Sequence, residues 1–459
     1  MTNIKTDVCV IGAGSGGLSV AAGAVQMGAR VVLVEKGEMG GDCLNSGCVP
    51  SKALLHAAAK GMSYPDAMAH VQQTIATIAP HDSQERFEEL GCKVIRAEGR
   101  FTSPTTLDAG GVTIKARRFV IATGSSPRVP EIEGLASVPY LTNETIWGLT
   151  SCPEHLVILG GGAIGMEMAQ AHRRLGAQVT VIEAFAALGR EDSEAAAVVK
   201  AALQAEGVTL IEGKGAERVS VVDGQTCVTL SDGQTVTGSH LLVATGRRAN
   251  SENLGLEHAE VDRTKTGIKV GDNLRTSNRR IYAIGDVIAG GLQFTHVAGY
   301  QAGVVIRPLL FGLPAKAARH HIPHATYTSP ELAQVGLTEA DARETYQDKL
   351  EVVRAEISGN DRAIATGRAG EGSGFIKLMV VKSRPVGVTI VGPDAGEMIA
   401  FWSLVLSLNL KMSKIAGMVA PYPTLAELNK RAVSAYFTPR LFESRKVKAI
   451  VKTIQRLVP

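Results

Sequence analysis

Val8-Cys9-Val10-Ile11-Gly12-Ala13-Gly14-Ser15-Gly16-Gly17 is the stretch from which the rest of the chain can be read. Four apolar residues read as a short buried strand, and the glycines after them read as a strand-to-helix turn. A helical stretch continues through Met27, and a second apolar strand, Val31-Val32-Leu33-Val34, ends in Glu35. This is the pattern of a βαβ dinucleotide fingerprint. Gly12 makes the tight turn, Gly14 lets the backbone approach a pyrophosphate at the helix N-terminus, and Gly17 lets helix pack closely on strand. Glu35, 23 positions after Gly12, sits where a carboxylate accepts from ribose hydroxyls.

The same pattern returns at Ile158-Leu159-Gly160-Gly161-Gly162-Ala163-Ile164-Gly165. A shift of 148 residues superposes Gly12 on Gly160, Gly14 on Gly162, Gly17 on Gly165, Gly28 on Gly176 and Glu35 on Glu183 without a gap. The chain therefore carries two Rossmann units. Each closes on a strand and a small turn, Val120-Ile121-Ala122-Thr123-Gly124 in the first and Val243-Ala244-Thr245-Gly246 in the second. A carboxylate at Glu183 bonds a ribose 2′-hydroxyl and repels a 2′-phosphate, so the second unit is expected to prefer NAD(H) to NADP(H).

Between the fingerprints lies Gly40-Gly41-Asp42-Cys43-Leu44-Asn45-Ser46-Gly47-Cys48-Val49-Pro50-Ser51-Lys52. An extended strand would hold the two cysteines about 16 Å apart at Cα, and a regular helix about 8 to 9 Å, whereas a disulfide needs about 4.4 to 6.8 Å. The segment must fold back, and Gly41 and Gly47 supply the backbone freedom. Pro50 and the residues after it read as the first turn of a helix. Cys48 then lies near a helix N-terminus, which stabilises a thiolate, so a bond between Cys43 and Cys48 could open and close during a reaction.

Composition sets wide bounds. A chain of 459 residues is too long for one core. A net charge of +4, from 48 basic and 44 acidic residues, gives no sign of nucleic-acid binding. Six cysteines do not make a disulfide-rich secreted scaffold. The expected setting is the cytoplasm, with one catalytic disulfide and no metal site. No run approaches the roughly 20 apolar residues that a membrane span needs.

Fingerprint and cysteine loop together resemble the FAD-dependent pyridine nucleotide-disulfide oxidoreductases, the family that includes glutathione reductase, dihydrolipoamide dehydrogenase and mercuric reductase. The resemblance implies an α/β fold with two Rossmann-like domains, one for FAD and one for NAD(P), plus an α+β C-terminal dimerisation domain. It implies an FAD-binding first segment at 1–148, an NAD(P)-binding domain at 149–246, a second FAD-binding segment at 247–320 and an interface domain at 321–459, in a homodimer. Cys48 would face the flavin and Cys43 would exchange with substrate. Lys52 would pair with Glu167 beside the flavin. FAD would be held by Gly12, Gly14, Gly17, Glu35, Lys52, Thr123 and Gly124, by Asp286 in the run Tyr282-Ala283-Ile284-Gly285-Asp286, and by the helix start at Ala298. NAD(H) would be held by Gly160, Gly162, Gly165, Glu183 and Gly246. The implied reaction passes electrons between NADH, FAD, the Cys43-Cys48 pair and an external disulfide or dithiol such as lipoamide.

The C-terminal third departs from that pattern. After about His321, strands broken by polar turns lead to two helical segments, near Ala395 to Leu408 and Leu425 to Ser434. Where glutathione reductases and dihydrolipoamide dehydrogenases carry a histidine before a glutamate, this chain has Tyr422-Pro423-Thr424-Leu425-Ala426-Glu427. A phenol with an ordinary pKa of about 10 is a poor base at neutral pH. Mercuric reductases also place a tyrosine there, so a metal ion is the alternative acceptor, although their C-terminal cysteine pair has no counterpart after Cys227. The final stretch, Lys446 to Val458, reads as a basic amphipathic helix. Packing on the dimer is one expectation for it. Peripheral contact with an anionic membrane is the other, and would suit a membrane-docked electron donor or redox sensor.

Overall fold

The computed structural model describes residues 2–370 and 372–458. The chain divides into two compact units, Met1–Ala184 with Val208–Ala318, and Phe185–Gly207 with Arg319–Pro459.

In the first unit, β1 (Thr2–Ile11), α1 (Ser15–Gln26) and β2 (Val31–Glu35) form the expected βαβ crossover, with β1 and β2 parallel. The cysteine loop follows as two helices, α2 (Gly41–Asn45) and α3 (Cys48–Ala59), and α4 (Tyr64–Ile78) comes next. Then come β3 (Lys93–Arg96), β4 (Gly99–Ser103), β5 (Thr106–Ala109) and β6 (Val112–Ile121). The separate strands expected near 112–114 and 118–121 are one continuous β6, because β1 pairs with it along its whole length, while β5 pairs with its first half. β7 (Ser125–Pro127) leaves the first small turn. The second crossover is β8 (His155–Leu159), α5 (Ala163–Arg174) and β9 (Gln178–Glu183), completed by β10 (Thr209–Glu212) and β11 (His240–Val243). β12 (Arg247–Ala249) pairs antiparallel with β7, so the strands leaving the two small turns are hydrogen-bonded to each other. β13 (Ile281–Ala283) returns to the edge of β6, and α6 (Thr295–Phe311) follows it.

The larger sheet runs β3-β2-β1-β6-β5-β4 with β13 also on β6, and the smaller parallel sheet runs β10-β9-β8-β11. The second half of β1, β2 and the end of β6 carry near-continuous Val, Ile, Leu and Phe because both faces of a parallel sheet are covered. A three-stranded antiparallel meander over residues 216–238 was not legible in the sequence.

The second unit is an antiparallel sheet, β14 (Pro323–Thr326), β15 (Glu331–Gly336), β16 (Leu350–Glu356), β17 (Phe375–Val381) and β18 (Arg384–Gly392), in the order β14-β15-β18-β17-β16. α7 (Ala395–Ser407) and α8 (Glu427–Thr438) pack on it around the fully buried Trp402. The chain ends in α9 (Arg445–Leu457). Charges lie inside this unit: Lys377 on β17 is 2% exposed, and its ammonium lies 2.8 Å from the likewise buried Asp192, 3.0 Å from Glu194 and 2.8 Å from Glu339. Burial works against the charged lysine, but the three carboxylates outweigh it and raise its pKa. Asp192 caps the helix Ser193–Ala205, so the ion cluster ties the 185–207 segment to the sheet.

Candidate active site

The two fingerprints explain their own glycines. A Cβ on Gly17 would stand 1.8 Å from Gly12 O, one on Gly12 2.3 Å from Ala122 O, one on Gly165 2.0 Å from Gly160 O and one on Gly160 2.5 Å from Ala244 O. Those four are demanded by the protein's own packing. Gly14 and Gly162 differ, since their backbones are ordinary and extended at φ −79° and −72°. A Cβ on Gly162 would meet nothing within 4 Å, and one on Gly14 only the Gly41 Cα at 3.9 Å. Nothing in the chain forbids a side chain at the middle position, so glycine there answers to a group that presses on the backbone at the helix N-terminus. The fingerprints thus fit dinucleotide pyrophosphates.

The two acidic residues repeat as well. Glu35 accepts from the Ala13 N–H and the Gly37 N–H, the latter at 2.7 Å, and Glu183 accepts from the Gly161 N–H at 2.8 Å. Each carboxylate is held at its glycine turn, where a ribose edge would lie.

The redox loop folds back as a turn of helix, a break and a second helix. Gly41 is left-handed at φ +62°, and a Cβ there would strike the Gly14 Cα at 2.7 Å, so the loop begins pressed against the first fingerprint. Cys43 lies on α2, and Cys48 is the first residue of α3, two positions earlier than the expected helix start. Both are free thiols that share a hydrogen bond. That bond, the Thr295 hydroxyl at 3.4 Å from Cys48 Sγ and the charge of Lys52 outweigh burial and lower Cys48 to about 6. Cys43 is raised, first by its bond to Cys48 and then by burial. The pair therefore holds one proton, on Cys43, and one negative charge, on Cys48. The position of Cys48 at a helix N-terminus favours the same assignment.

Lys52 Nζ stands 2.8 Å from Glu167 Oε2, joining α3 to α5, and Glu167 is 3% exposed. Asp286 accepts from the Ser125 hydroxyl at 2.7 Å, and burial raises its pKa against the pull of that bond and of Arg247. Arg247 is a residue that sequence reasoning passed over. Its guanidinium lies 3.0 Å from Asp42 and 3.9 Å from Asp286, and it donates to the Ser125 hydroxyl and carbonyl at 2.7 and 2.9 Å. One cation thereby joins the redox loop, the first small turn and the Asp286 loop. Asn143 and Trp147, also missed, donate to Ser46 O at 3.3 and 3.0 Å and hold the break between α2 and α3. The only sequence signal for Arg247 was its place just after Thr245-Gly246. Thr123 is bonded to Asn250 through its hydroxyl at 2.7 Å, Gly124 and Gly246 are left-handed, and Ala298 packs between Gly16 and Gly285.

Tyr422 and Glu427 belong to the second unit, and they do not bond to each other through the phenol. Tyr422 is 72% exposed and donates to Asp361 Oδ2 at 3.1 Å, while Arg431 holds the other Asp361 oxygen at 3.1 Å. The Asp361 carboxylate raises the phenol's pKa, so the phenol stays protonated further above neutral pH than a free tyrosine does and is not available to accept a proton there. Glu427 Oε2, in the first turn of α8, is buried without a hydrogen-bond partner among the described residues. None of the described residues form a metal-binding cluster of three or more His, Cys, Asp or Glu.

The chain is similar in sequence and fold to known proteins. The chain is 34% identical to a mercuric reductase of Lysinibacillus sphaericus, over 94% of this chain and 82% of that one. It is 32% identical to a dihydrolipoyl dehydrogenase of Geobacillus stearothermophilus, over 94% and 96%. Its fold matches the HOCl-induced flavoprotein disulfide reductase RclA of Escherichia coli with a TM-score of 0.86 at 28% identity, covering 93% of this chain and 99% of that one. Residues 322–433 match the dimerisation domain of the pyridine nucleotide-disulphide oxidoreductases, and residues 6–302 match that family's main model. With both models and full-length relatives in agreement, the chain belongs to the FAD- and NAD(P)-dependent pyridine nucleotide-disulphide oxidoreductase family.

Proposed function

We propose that this enzyme reduces a small disulfide at the Cys43-Cys48 pair with electrons from NADH. The observation that carries the reading is a pair of thiols sharing one proton at the N-terminus of α3, with the Lys52-Glu167 ion pair one turn further along. FAD, when bound, supplies the hydride-accepting ring that links the nicotinamide to sulfur. Residues 1–148 and 247–320 would hold it, through Gly12, Gly14, Gly17, Glu35, Lys52, Thr123, Gly124, Asp286 and the helix start at Ala298. Residues 149–246 would hold NADH through Gly160, Gly162, Gly165 and Gly246. The carboxylate of Glu183 at the end of β9 supports NADH over NADPH. Residues 321–459 would form the interface domain of a homodimer, carrying the basic amphipathic tail beyond it, and a cytoplasmic setting would keep the dithiol available.

In the direction of disulfide reduction the thiol pair needs no outside base. The proton on Cys43 crosses to the Cys48 thiolate, and the Cys43 thiolate attacks one sulfur of the substrate disulfide. The other substrate sulfur leaves as a thiolate and takes the proton from Cys48. Cys48 then attacks Cys43 sulfur, closing the Cys43-Cys48 disulfide and releasing the second substrate thiolate, which is protonated by water. The substrate gains the two electrons that the pair loses. A second reading, reduction of a thiophilic metal ion bound by the two sulfurs, is favoured by Tyr422, whose phenol is held protonated and so offers no base for dithiol chemistry.

Anaerobic reduction of the bound flavin separates the readings. Reduction by dihydrolipoamide as well as by NADH supports disulfide chemistry. Reduction by NADH alone, with metal-ion-dependent NADH oxidation, supports the second reading. Cys43→Ser should abolish both turnovers and leave the flavin bound, and surviving turnover would remove the redox loop from the mechanism.

A further inference from the structure

We propose that α9 docks the enzyme onto an anionic lipid bilayer. No residue of Arg445–Leu457 is buried. At about 100° per residue, Val447, Ile450, Val451, Ile454 and Leu457 fall within a single arc of roughly a third of the helix circumference. Ile450, Val451, Ile454 and Leu457 are 57, 50, 46 and 77% exposed. Arg445, Lys446, Lys448, Lys452 and Arg456 occupy the flanks and the opposite face, and no acidic residue follows Glu443. Exposed Leu441 and Phe442 precede the helix and add apolar surface at its root.

Charge selects the occupant. A helix with five cations, no anions and an apolar stripe matches an interface that is negative at the surface and hydrocarbon just beneath it. Set against its own two-fold copy, the same helix would bring like charges together. The matched dimerisation domain, 322–433, also ends before α9 begins. With 13 residues the helix is about 20 Å long, and none of the described helices is long and apolar enough to cross a membrane. The geometry is therefore that of a helix lying in the plane of the interface, stripe inward, with Lys446 and Lys448 at its edges reaching the headgroups.

Flotation of the FAD-loaded enzyme with two kinds of vesicle tests this: equal parts phosphatidylglycerol and phosphatidylcholine, and phosphatidylcholine alone. The expected result is co-flotation with the anionic vesicles, falling about tenfold or more in high salt or on the neutral ones. Ile450→Asp combined with Ile454→Asp, and a chain ending at Ser444, should both lose flotation while keeping NADH oxidation by a soluble dye and the dimer mass. Equal flotation on both vesicles, no flotation on either, or flotation unaffected by the double substitution would overturn the proposal. So would dissociation of the dimer on truncation, which would assign α9 to the interface between copies, or retention by duplex DNA without retention by vesicles. Because soluble-dye activity is read in parallel, loss of docking remains distinguishable from failure of the catalytic reading.

Discussion

At Cys48 the chemistry is decided by three neighbours that reach it from different parts of the chain. Cys43 and Thr295 donate hydrogen bonds that favour the thiolate, and Lys52 adds positive charge. A folded pKa lowered to about 6 means that Cys48 is ionised at neutral pH and becomes a thiol only as the pH falls below that value. Alkylation of Cys48 by iodoacetamide in the reduced enzyme should therefore rise through a midpoint near 6, whereas an ordinary thiol rises near about 8.5. Thr295→Ala should move the midpoint upward, because one donor to the thiolate is gone; an unmoved midpoint would show that the hydroxyl does not act on the sulfur. Tyr422 shows the opposite polarity, with Asp361 keeping its phenol protonated. A histidine has an ordinary pKa of about 6.5 and can take a proton at neutral pH. Tyr422→His should raise dihydrolipoamide oxidation at pH 7 by about tenfold or more, read as the initial rate of flavin reduction. An unchanged rate would remove residue 422 from the proton path.

Among the elements, the two glycine turns carry a distinction that the bare GxGxxG pattern hides. Gly165 is required by the chain, since any side chain would meet Gly160 O. Gly162 has open space around its Cβ direction and an ordinary φ. Gly165→Ala should therefore destabilise the second crossover and lower Tm. Gly162→Ala should leave Tm close to that of the parent and raise KM for NADH, because the methyl occupies the ground where a pyrophosphate meets the backbone. Equal effects of both substitutions on Tm would contradict this division. The helix-turn-helix of α2 and α3 was only partly legible. Spacing required a reversal, but the start of α3 at Cys48 rather than Pro50 depends on the break at Ser46 and Gly47, which Trp147 and Asn143 hold from about a hundred residues away.

For the whole molecule, the path of residues 185–207 is the least expected feature. They fall within the NAD(P)-binding domain that the family resemblance implies at 149–246, yet they pack with the C-terminal sheet, where Asp192 and Glu194 meet the ammonium of Lys377. A lysine in the middle of an otherwise apolar strand is tolerated because three carboxylates replace its water. Lys377→Met would leave Asp192 buried without its cation, and removing one partner of a buried ion pair costs about 3 to 5 kcal/mol. Denaturant unfolding of the second unit, followed by the fluorescence of buried Trp402, should show that loss. A change below about 1 kcal/mol would mean that the cluster behaves as an exposed ion pair.

Local pattern was enough for the two Rossmann units, the small turns, the reversal at the cysteine loop and the amphipathic tail. Each of these rests on backbone conformation and apolar periodicity, which act over a few residues and repeat visibly at 148. The Lys52-Glu167 pair was also legible, but only through resemblance to a family. The tertiary structure alone decided that Arg247 joins Asp42 to Asp286, that Thr295 stands beside Cys48, that Tyr422 turns to Asp361 and that Lys377 gathers three carboxylates. Those partners are far apart in sequence, and nothing in local propensity selects among the carboxylates and hydroxyls a cation could meet. The choice falls to the packing of sheets and helices, because a charge taken out of water must find its counter-charge where the fold delivers one.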